Sequence, residues 1–379
     1  MLRFKMYAKT IVISVLVLLV LQYAVKFYFK MGFSKHMFNH SPGPCHQVQG
    51  MGIGSEDMHL MDNGIVFISS GFRIKNGNSA AYDKFYSENK GKGTIYLFDM
   101  NDPKKNVQEM NLTSTKEFDK DRFQPHGISV WEDKKAGKLY LYAINHERDG
   151  EERIEKFLVS VDKRSLQHLK SYYGDPTIIE FRSRMNDISA TGDDSFYFSN
   201  SCVSSSYIGR LLEMLSFMAW TNVGYYDGKG YRIVADGIIL ANGIQMSRDG
   251  KYVFVASFFG QEMKIYERRN DNSLNLKQSY AFHTMPDNIM EDPVSGDLYV
   301  AFHPIGHLMV QHLTDPSLES PSQILQVKLK EGTVSSVTEL FVDDGHLLSG
   351  SSVAVVYKKK MLIGSVLNKL VYCDVTVPL

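Results

Sequence analysis

Four short pairs rich in acid and amide side chains stand far apart in the sequence: Glu56-Asp57, Asn186-Asp187, Asn242-Gly243 and Asp287-Asn288. Carboxylate and amide oxygens are the ligands that Ca²⁺ prefers, and the ion takes about 6–8 of them in loose geometry. Any one pair is equally well explained as a turn, because Asn and Asp favour turns. Together they predict a calcium site, provided that the fold brings these distant segments to one place.

The rest of the chain supplies many short strands suited to that task. From Ile53 onward, runs such as GKLYLYAINH, GKYVFVASFF and GDLYVAFHP are bounded by turn residues, as strands are. Two segments, SRDGKYVFVAS with KIYERR and DPVSGDLYVAF with MVQHL, repeat the order of turn, buried strand and second strand. This repetition favours a β-propeller over a sandwich, and the central channel of a propeller receives loops from every blade.

Ordered motifs after the N-terminal segment resemble those of the serum paraoxonases, which are calcium-dependent lactonases and arylesterases built on a six-bladed β-propeller. The matching segments are GSEDMHL, QPHGISV, YLYAINH, RMNDISA, LANGIQMSRDGKYVFVA, MPDNIMEDPVSGDLYVAFHP and GSVLNKLVYC. The resemblance implies an all-β, six-bladed propeller. Six blades leave about 55 residues each, longer than the ~40–45 of a WD40 blade, so we expect short helical insertions on one face.

The resemblance also implies roles for the acid and amide residues. Carried over position by position, a catalytic calcium is held by Glu56, Asn186, Asn242, Asp287 and Asn288. A deeper structural calcium takes Asp57, Asp187 and the backbone carbonyl of Ile128. Two Ca²⁺ ions per chain are therefore expected. In such a site, calcium acts as a Lewis acid toward the carbonyl of an ester or lactone.

Two histidines complete the implied catalytic set. His126 in QPHG and His146 in INHE match the paraoxonase histidine pair, in which the first is thought to deprotonate water and the second to orient and tune it. Imidazoles with a pKa near about 6.5 suit general base work at neutral pH. A histidine in a strand is also commonly structural, and that alternative stays open. His303 in AFHP matches a further family position near the site.

The chain departs from the family pattern close to the site. Where paraoxonases carry Asn-Asp-His, this sequence has Asn200-Ser201-Cys202, so an acid and a histidine are lost. This puts the tuning of the histidine pair in doubt. The family's unpaired cysteine is replaced by Phe302. We expect Cys202 to be a buried, inert thiol.

The N-terminal segment is long and apolar enough to cross a membrane. Residues 10–25 are uncharged, and an aromatic and cationic border follows at 26–30. No A-x-A pattern follows the apolar run, which favours a retained signal anchor over a cleaved signal peptide. We therefore expect a cytoplasmic stub and transmembrane anchor at 1–32 and the propeller at 33–379. Charge does not set the orientation, since lysines flank both ends.

Cysteines and glycosylation sequons place the propeller outside the cytosol. Cys45 begins the folded region and Cys373 lies near its end, and the resemblance implies a disulfide between them. Disulfides belong to oxidising compartments, and sequons at Asn39 and Asn111 point the same way. The sequence thus predicts a single-pass type II protein with a lumenal or extracellular propeller, in the endoplasmic reticulum, the plasma membrane or both.

Two hypotheses for function remain. The formal net charge is zero and basic patches are short, which argues against nucleic-acid binding. The first hypothesis is a membrane-anchored, calcium-dependent lactonase or arylesterase that acts on lipophilic esters near the bilayer. The second is a non-enzymatic chaperone or accessory subunit, because the chain resembles most closely the nematode paraoxonase-like membrane proteins that assist degenerin-type sodium channels in mechanosensation. An apolar insertion at 206–225, read as a helix, suits a membrane, partner or substrate role, or a helix packed on the rim of the propeller.

Overall fold

The computed structural model describes residues 2–73, 79–89, 91–147, 152–174, 185–204 and 206–379, and these fold into 25 strands and four helices. The helices are α1 (Leu2–Lys30), α2 (Ala80–Glu88), α3 (Tyr207–Ser216) and α4 (Gly306–Thr314). The strands form six separate sheets, called blades 1 to 6 in chain order. The fold class is therefore the six-bladed β-propeller that the sequence predicts.

Blades 1 to 3 lie within residues 58–238. Blade 1 contains β2 (Met58–Leu60), β3 (Ile65–Ser70), β4 (Thr94–Asp99) and β5 (Gln108–Glu109). Blade 2 contains β7 (Pro125–Asp133), β8 (Lys138–Asn145), β9 (Arg153–Ser160) and β10 (Ser165–Tyr173), with β6 (Asn111–Leu112) added at its outer edge. Blade 3 contains β11 (Met185–Gly192), β12 (Ser195–Asn200), β13 (Thr221–Tyr226) and β14 (Tyr231–Ile238).

Blades 4 to 6 complete the circle. Blade 4 contains β15 (Ala241–Met246), β16 (Tyr252–Ser257), β17 (Glu262–Arg268) and β18 (Leu274–Ala281). Blade 5 contains β19 (Met285–Glu291), β20 (Leu298–His303), β21 (Ser322–Lys330) and β22 (Thr333–Asp343). Blade 6 contains β23 (Ser351–Tyr357), β24 (Lys360–Ser365), β25 (Val371–Asp374) and the early strand β1 (Cys45–Gln47).

The first strand of each blade lines the centre of the molecule. β2, β7, β11, β15, β19 and β23 each contact the next inner strand, and β23 contacts β2. The hydrophobic core lies between blades. Phe67 of blade 1 shares a buried cluster with Phe157 of blade 2, and Phe254 of blade 4 shares one with Phe302 of blade 5. Each such buried ring contributes about 1.5–3 kcal/mol relative to exposure.

Regular strand pairing breaks at the predicted site residues. Five inner strands shift register. Four of them do so at predicted site residues, between Pro125 and Ile128, Met185 and Ile188, Ala241 and Ile244, and Pro286 and Ile289. Successive side chains of a regular strand point to opposite faces, whereas a bulge leaves extra residues unpaired and re-aims them. These irregularities explain how two consecutive residues, such as an Asn-Asp pair, can both serve the central channel.

Two of these irregular positions are glycines that let neighbouring inner strands approach closely. A Cβ added at Gly127 would lie 2.5 Å from both Cα and Oδ1 of Asp187. One added at Gly243 would lie 2.6 Å from Cα of Asn288. Neither distance is sterically allowed against backbone, so only glycine permits this approach.

We expect Gly127→Ala to lower the free energy of unfolding by about 1–3 kcal/mol or more, because the methyl group must displace the Asp187 backbone. Thermal unfolding of the full-length protein in detergent micelles measures the loss. Gly230→Ala is the matched control, since nothing lies within 4 Å of its added Cβ. Equal melting temperatures for the two variants would contradict the close approach described above.

A disulfide joins the N-terminal and C-terminal parts of the propeller chain. β1 pairs with β25 so that Cys45 stands opposite Cys373, and a disulfide links them across 328 positions of sequence. The expected staple between the termini is confirmed. Cys202 is buried and lies outside this bridge.

Digestion without reductant should therefore yield one linked peptide that contains Cys45 and Cys373, with Cys202 alkylated only after unfolding. Replacing both bridging cysteines by serine should cost about 5 kcal/mol on the chain-entropy model, because the closed loop is long. Mass spectrometry and thermal unfolding provide the two measurements. A linked peptide that contains Cys202 would contradict the closure of blade 6.

The short helices all lie at one end of the propeller. α2, α3 and α4 follow the second strands of blades 1, 3 and 5, at the end where the inner strands begin. The pairing of Met185 with Asn200 and of Met285 with His303 fixes this geometry. We call this end the site face, and it confirms the expected helical insertions on one face.

The apolar insertion at 206–225 is shorter as a helix than its composition suggests. α3 ends at Ser216, and Phe217 follows in the left-handed conformation with φ of 51°. The reading of a helix through residue 225 is wrong, because β13 begins at Thr221 and pairs with β12. Thr, Val and Tyr favour strands, and here they complete blade 3.

The N-terminal helix reaches the site face. Its segment Lys9–Lys30 is the one helix in the described part of the chain that is long and apolar enough to cross a membrane. The Tyr23 hydroxyl donates to the Leu215 carbonyl at 2.7 Å, and the His307 backbone N–H donates to the Met31 carbonyl at 3.1 Å. The end of α1 is thereby fixed beside α3 and α4.

Candidate functional site

The acid and amide pairs converge on the central channel. Glu56 and Asp57 immediately precede β2, and the other pairs lie in the irregular segments of β11, β15 and β19. The paired acid and amide side chains are all buried, with relative exposures of 9% or less. Four blades therefore deliver buried oxygen ligands toward the site face of the channel.

Glu56 stands at the centre of this group. The Asn288 side-chain amide donates to Glu56 Oε1 at 3.2 Å and to the Glu56 carbonyl at 3.0 Å. His126 Nε2 lies 3.2 Å from the same Oε1. These contacts join blades 1, 2 and 5 around one carboxylate.

Several buried oxygens of the predicted set lack a hydrogen-bond partner among the described residues. They are Glu56 Oε2 and the side-chain oxygens of Asn186, Asn242 and Asn288. A buried, unpaired polar atom costs about 1–3 kcal/mol, so four in one place are unfavourable without a ligand. Each of these atoms belongs to the five-residue set that the sequence assigns to one calcium.

Asp57 and Asp187 occupy different positions from Glu56 and tie neighbouring blades together. Asp57 Oδ2 accepts the Ile128 backbone N–H at 2.7 Å, which links blade 1 to blade 2. Asp187 Oδ2 accepts the Ile244 N–H at 2.7 Å, which links blade 3 to blade 4. A Cβ added at Gly127 would lie 2.5 Å from Asp187 Oδ1, so Asp57 and Asp187 both lie beside the backbone of residues 127–128.

The negative charges of these carboxylates are poorly balanced by positive charge in their buried surroundings. Burial raises the pKa of Glu56 well above its usual value, and the nearby charge of Asp287 adds to the effect. Burial also raises the pKa of Asp57, reinforced by Glu56, and that of Asp187, reinforced by Asp57. Several buried negative charges in one region require protons or cations.

The donor set fits calcium. In the described ranges, no three His, Cys, Asp or Glu side chains are arranged around one point, as they are in a typical zinc centre. A cation here would need amide oxygens as well as carboxylates, and such mixed oxygen sets suit Ca²⁺. The orphaned amide oxygens are the observation that supports this fit.

The two predicted histidines form a hydrogen-bonded pair. His126 Nδ1 lies 2.9 Å from His146 Nε2, and both rings are buried. The ring of Phe72 stacks on His126 with centroids 4.1 Å apart and an angle of 6° between planes. Stacking fixes the plane of His126 and keeps its Nε2 directed at Glu56.

A buried network holds the two histidine segments in register. The His146 N–H donates to the Gln124 carbonyl at 3.0 Å, and the Gln124 N–H donates to Asn145 Oδ1 at 3.0 Å. The Asn145 amide in turn donates to Glu155 Oε1 at 2.9 Å. Blade 2 therefore positions both rings through paired backbone and side-chain contacts.

Two residues that sequence reasoning missed lie beside this pair. Phe72 stacks on His126, and Glu152 Oε1 lies 3.0 Å from His146 Nδ1. Phe72 follows the strand IVFISS, where an aromatic residue is unremarkable. Glu152 belongs to the charged run ERDGEER, which resembles a solvated loop, so no sequence signal identified it.

Other predicted positions are also placed. His303 Nε2 lies 2.7 Å from Asp287 Oδ2, which brings this histidine into the site. Asn200 is buried and donates to Asn222 at 2.7 Å, and Cys202 is buried two residues beyond it. The two predicted glycosylation residues, Asn39 and Asn111, are exposed and lie outside the site.

An exposed apolar surface borders the site face. α3 carries Leu211, Leu212 and Leu215 with relative exposures of 39%, 61% and 41%, and Trp220 beyond it is 51% exposed. α3 contacts α1 through Tyr23. Large exposed apolar groups in one place mark a surface that binds lipid, protein or substrate.

Comparison with known proteins agrees with the motifs. The arylesterase family model matches residues 39–375. Serum paraoxonase/arylesterase 1 of Homo sapiens is 36% identical over 330 residues, which cover 87% of this chain and 88% of that protein. Serum paraoxonase/lactonase 3 of Rattus norvegicus is 34% identical over 334 residues, which cover 88% and 89%.

A solved structure is similar in fold alone. The luciferin-regenerating enzyme superposes with a TM-score of 0.52 at 12% identity, and the match covers 89% of this chain and 100% of that one. The family match extends over most of the propeller and includes the buried acid, amide and histidine residues described above. The chain therefore belongs to the arylesterase family, which includes the serum paraoxonases.

Proposed function

We propose that the protein is a membrane-anchored, calcium-binding hydrolase of aryl esters or lactones. The observation that carries the proposal is the arrangement of unpartnered oxygens from four blades around Glu56, beside the pair His126 and His146. The names of its relatives, arylesterase and lactonase, support the same substrate class.

The proposed chemistry divides between the ligand oxygens and the histidines. Glu56, Asn186, Asn242, Asp287 and Asn288 would hold one Ca²⁺, and Asp57, Asp187 and the Ile128 carbonyl a second. Bound calcium would supply a Lewis acid for the ester carbonyl and the oxyanion. His126 Nε2 faces Glu56 and would take the proton of an attacking water, with His146 holding its ring.

The membrane provides the expected source of substrate. α1 ends beside α3 and α4 at the site face, and the exposed leucines of α3 adjoin it. A lipophilic ester or lactone dissolved in the bilayer would then be close to the channel mouth. We propose a type II orientation with a lumenal or extracellular propeller, supported by the Cys45–Cys373 disulfide.

Hydrolysis assays test this function directly. Full-length protein in detergent micelles should hydrolyse phenyl acetate or a medium-chain lactone in calcium buffer and lose the activity in excess chelator. Magnesium alone should restore little activity, because Mg²⁺ demands a smaller octahedral site with several waters. Absence of hydrolysis with both substrate classes in calcium buffer would contradict the proposal.

A second candidate is a non-enzymatic accessory role in the assembly or function of a degenerin-type channel. The exposed apolar face of α3 beside the membrane helix favours it, since such a surface suits a membrane-protein partner. The loss of the acid and histidine at Ser201-Cys202 also favours it, because a binding role does not need a tuned histidine pair. In that role the calcium ions would serve the fold alone.

A further inference from the structure

Glu152 extends the histidine pair by a third member. Its Oε1 lies 3.0 Å from His146 Nδ1, and its Oε2 accepts the Met185 backbone N–H at 3.1 Å. One oxygen thus faces the histidine of blade 2, and the other is held by the first residue of the inner strand of blade 3. The carboxylate is fixed between two blades, with only 19% of its side chain exposed.

We propose that Glu152 is a positioning residue that sets the tautomers of His146 and His126. An ionised carboxylate only accepts hydrogen bonds, so His146 Nδ1 carries the proton. Neutral His146 then has its lone pair on Nε2, which lies 2.9 Å from His126 Nδ1. His126 must donate from Nδ1, and its own lone pair is left on Nε2.

These tautomers leave an unprotonated nitrogen on the side of His126 that faces the channel. His126 Nε2 is the nitrogen that faces Glu56, at 3.2 Å from Oε1, and two acceptors this close require a proton on Glu56 or a cation on its carboxylate. If His146 carried its proton on Nε2 instead, neutral His126 would have its lone pair on Nδ1. Its Nε2 would then carry a proton and could not accept one from water. The stacked ring of Phe72 holds the plane of His126.

Glu152→Gln should reverse the tautomers of His146 and His126. The Met185 N–H is an obligatory donor, so it retains the amide oxygen of the new glutamine. The amide NH₂ is then left facing His146 Nδ1, and a donor there requires the lone pair on Nδ1. The variant keeps the size of the side chain, so packing between blades 2 and 3 is preserved.

The inference rests on the proposed hydrolytic function, and kinetics provide its first test. In full-length protein in micelles, Glu152→Gln should lower kcat by about 10–100-fold with KM unchanged. Glu152→Asp keeps the charge and should recover part of this loss. Glu117→Gln, at an exposed glutamate, is the control and should match the unmodified protein.

Nitrogen NMR of ¹⁵N-histidine protein provides a readout independent of turnover. His146, identified by its loss in His146→Gln, should show Nδ1–H in the unmodified protein and Nε2–H in Glu152→Gln. An unchanged tautomer or an unchanged kcat in Glu152→Gln would overturn the role of Glu152. If the unmodified protein hydrolyses neither substrate, the proposed function fails, and the tautomer comparison alone decides the positioning role.

Discussion

Chelation of calcium should lower the melting temperature of the full-length protein by on the order of 10 °C. A ligand at 100 times its Kd adds about 2.7 kcal/mol per site, and two sites therefore add about 5 kcal/mol. The structural reason is the burial of Glu56, Asp57 and Asp187 at exposures of 3%, 2% and 4%, with their pKa values raised. Cations would remove the mutual repulsion of these carboxylates.

Thermal unfolding in calcium buffer and in excess chelator measures this loss, with elemental analysis of the metal content. Asp57→Asn removes one buried charge and should reduce the difference between the two conditions. Asp121→Asn changes an exposed aspartate and should leave the difference intact. A melting temperature that is unaffected by chelator in protein free of metal would contradict a calcium-dependent fold.

The pH dependence of the calcium effect follows from the same carboxylates. Burial raises the pKa values of Glu56, Asp57 and Asp187 in the folded state above those in the unfolded state. The folded, calcium-free protein therefore binds more protons than the unfolded chain in the window between the two values, and it gains stability as the pH falls. The stabilisation by calcium, measured as the difference in melting temperature with and without chelator, should accordingly shrink as the pH falls through the raised pKa values of these carboxylates.

The fold and most site residues could be predicted from the sequence for a definable reason. Only a few residue types can donate oxygens to a cation or act as a base near neutral pH, so the acid and amide pairs and His126 and His146 are recognisable in the sequence. Strand runs bounded by turn residues reveal the blades, because each blade repeats the same local pattern. The pairing of Cys45 with Cys373 also follows the family pattern, and the register of β1 with β25 confirms it.

The contacts that orient the site could not be predicted in the same way. Glu152 reaches His146 only because blade 2 packs beside the first residue of β11. The close approach at Gly127 depends on the adjacent inner strand and leaves no mark in the sequence beyond one glycine. The end of α3 at Ser216 depends on the pairing of the next segment with β12, which overrides its apolar composition.

His126→Gln should reduce kcat for ester or lactone hydrolysis by about 100-fold or more, because glutamine cannot accept the proton of the attacking water. The fold and the calcium content should persist, since His126 is not among the proposed calcium ligands. Steady-state kinetics, thermal unfolding and elemental analysis measure the three quantities. His346→Gln is the control, because the side chain of His346 is 73% exposed.

The same variant separates catalysis from an accessory role. His126 is buried in the channel with 7% exposure, so a partner that binds the outer surface would not sense its replacement. Leu215 is 41% exposed on α3 beside α1, and Leu215→Glu would place a charge on the surface that a partner would contact. Leu276→Glu, at a 55% exposed leucine on the outer strand of blade 4, is the matched control.

The cellular phenotype of these variants then decides between the two roles. If the protein acts as a hydrolase, cells that carry His126→Gln should show the same phenotype as cells that lack the gene. Leu215→Glu should retain activity on soluble substrates. If it acts as an accessory subunit, His126→Gln should be silent and Leu215→Glu should abolish the channel phenotype without changing the melting temperature. Each role requires a residue that the other does not use, because the imidazole lies inside the channel and the leucine lies outside it.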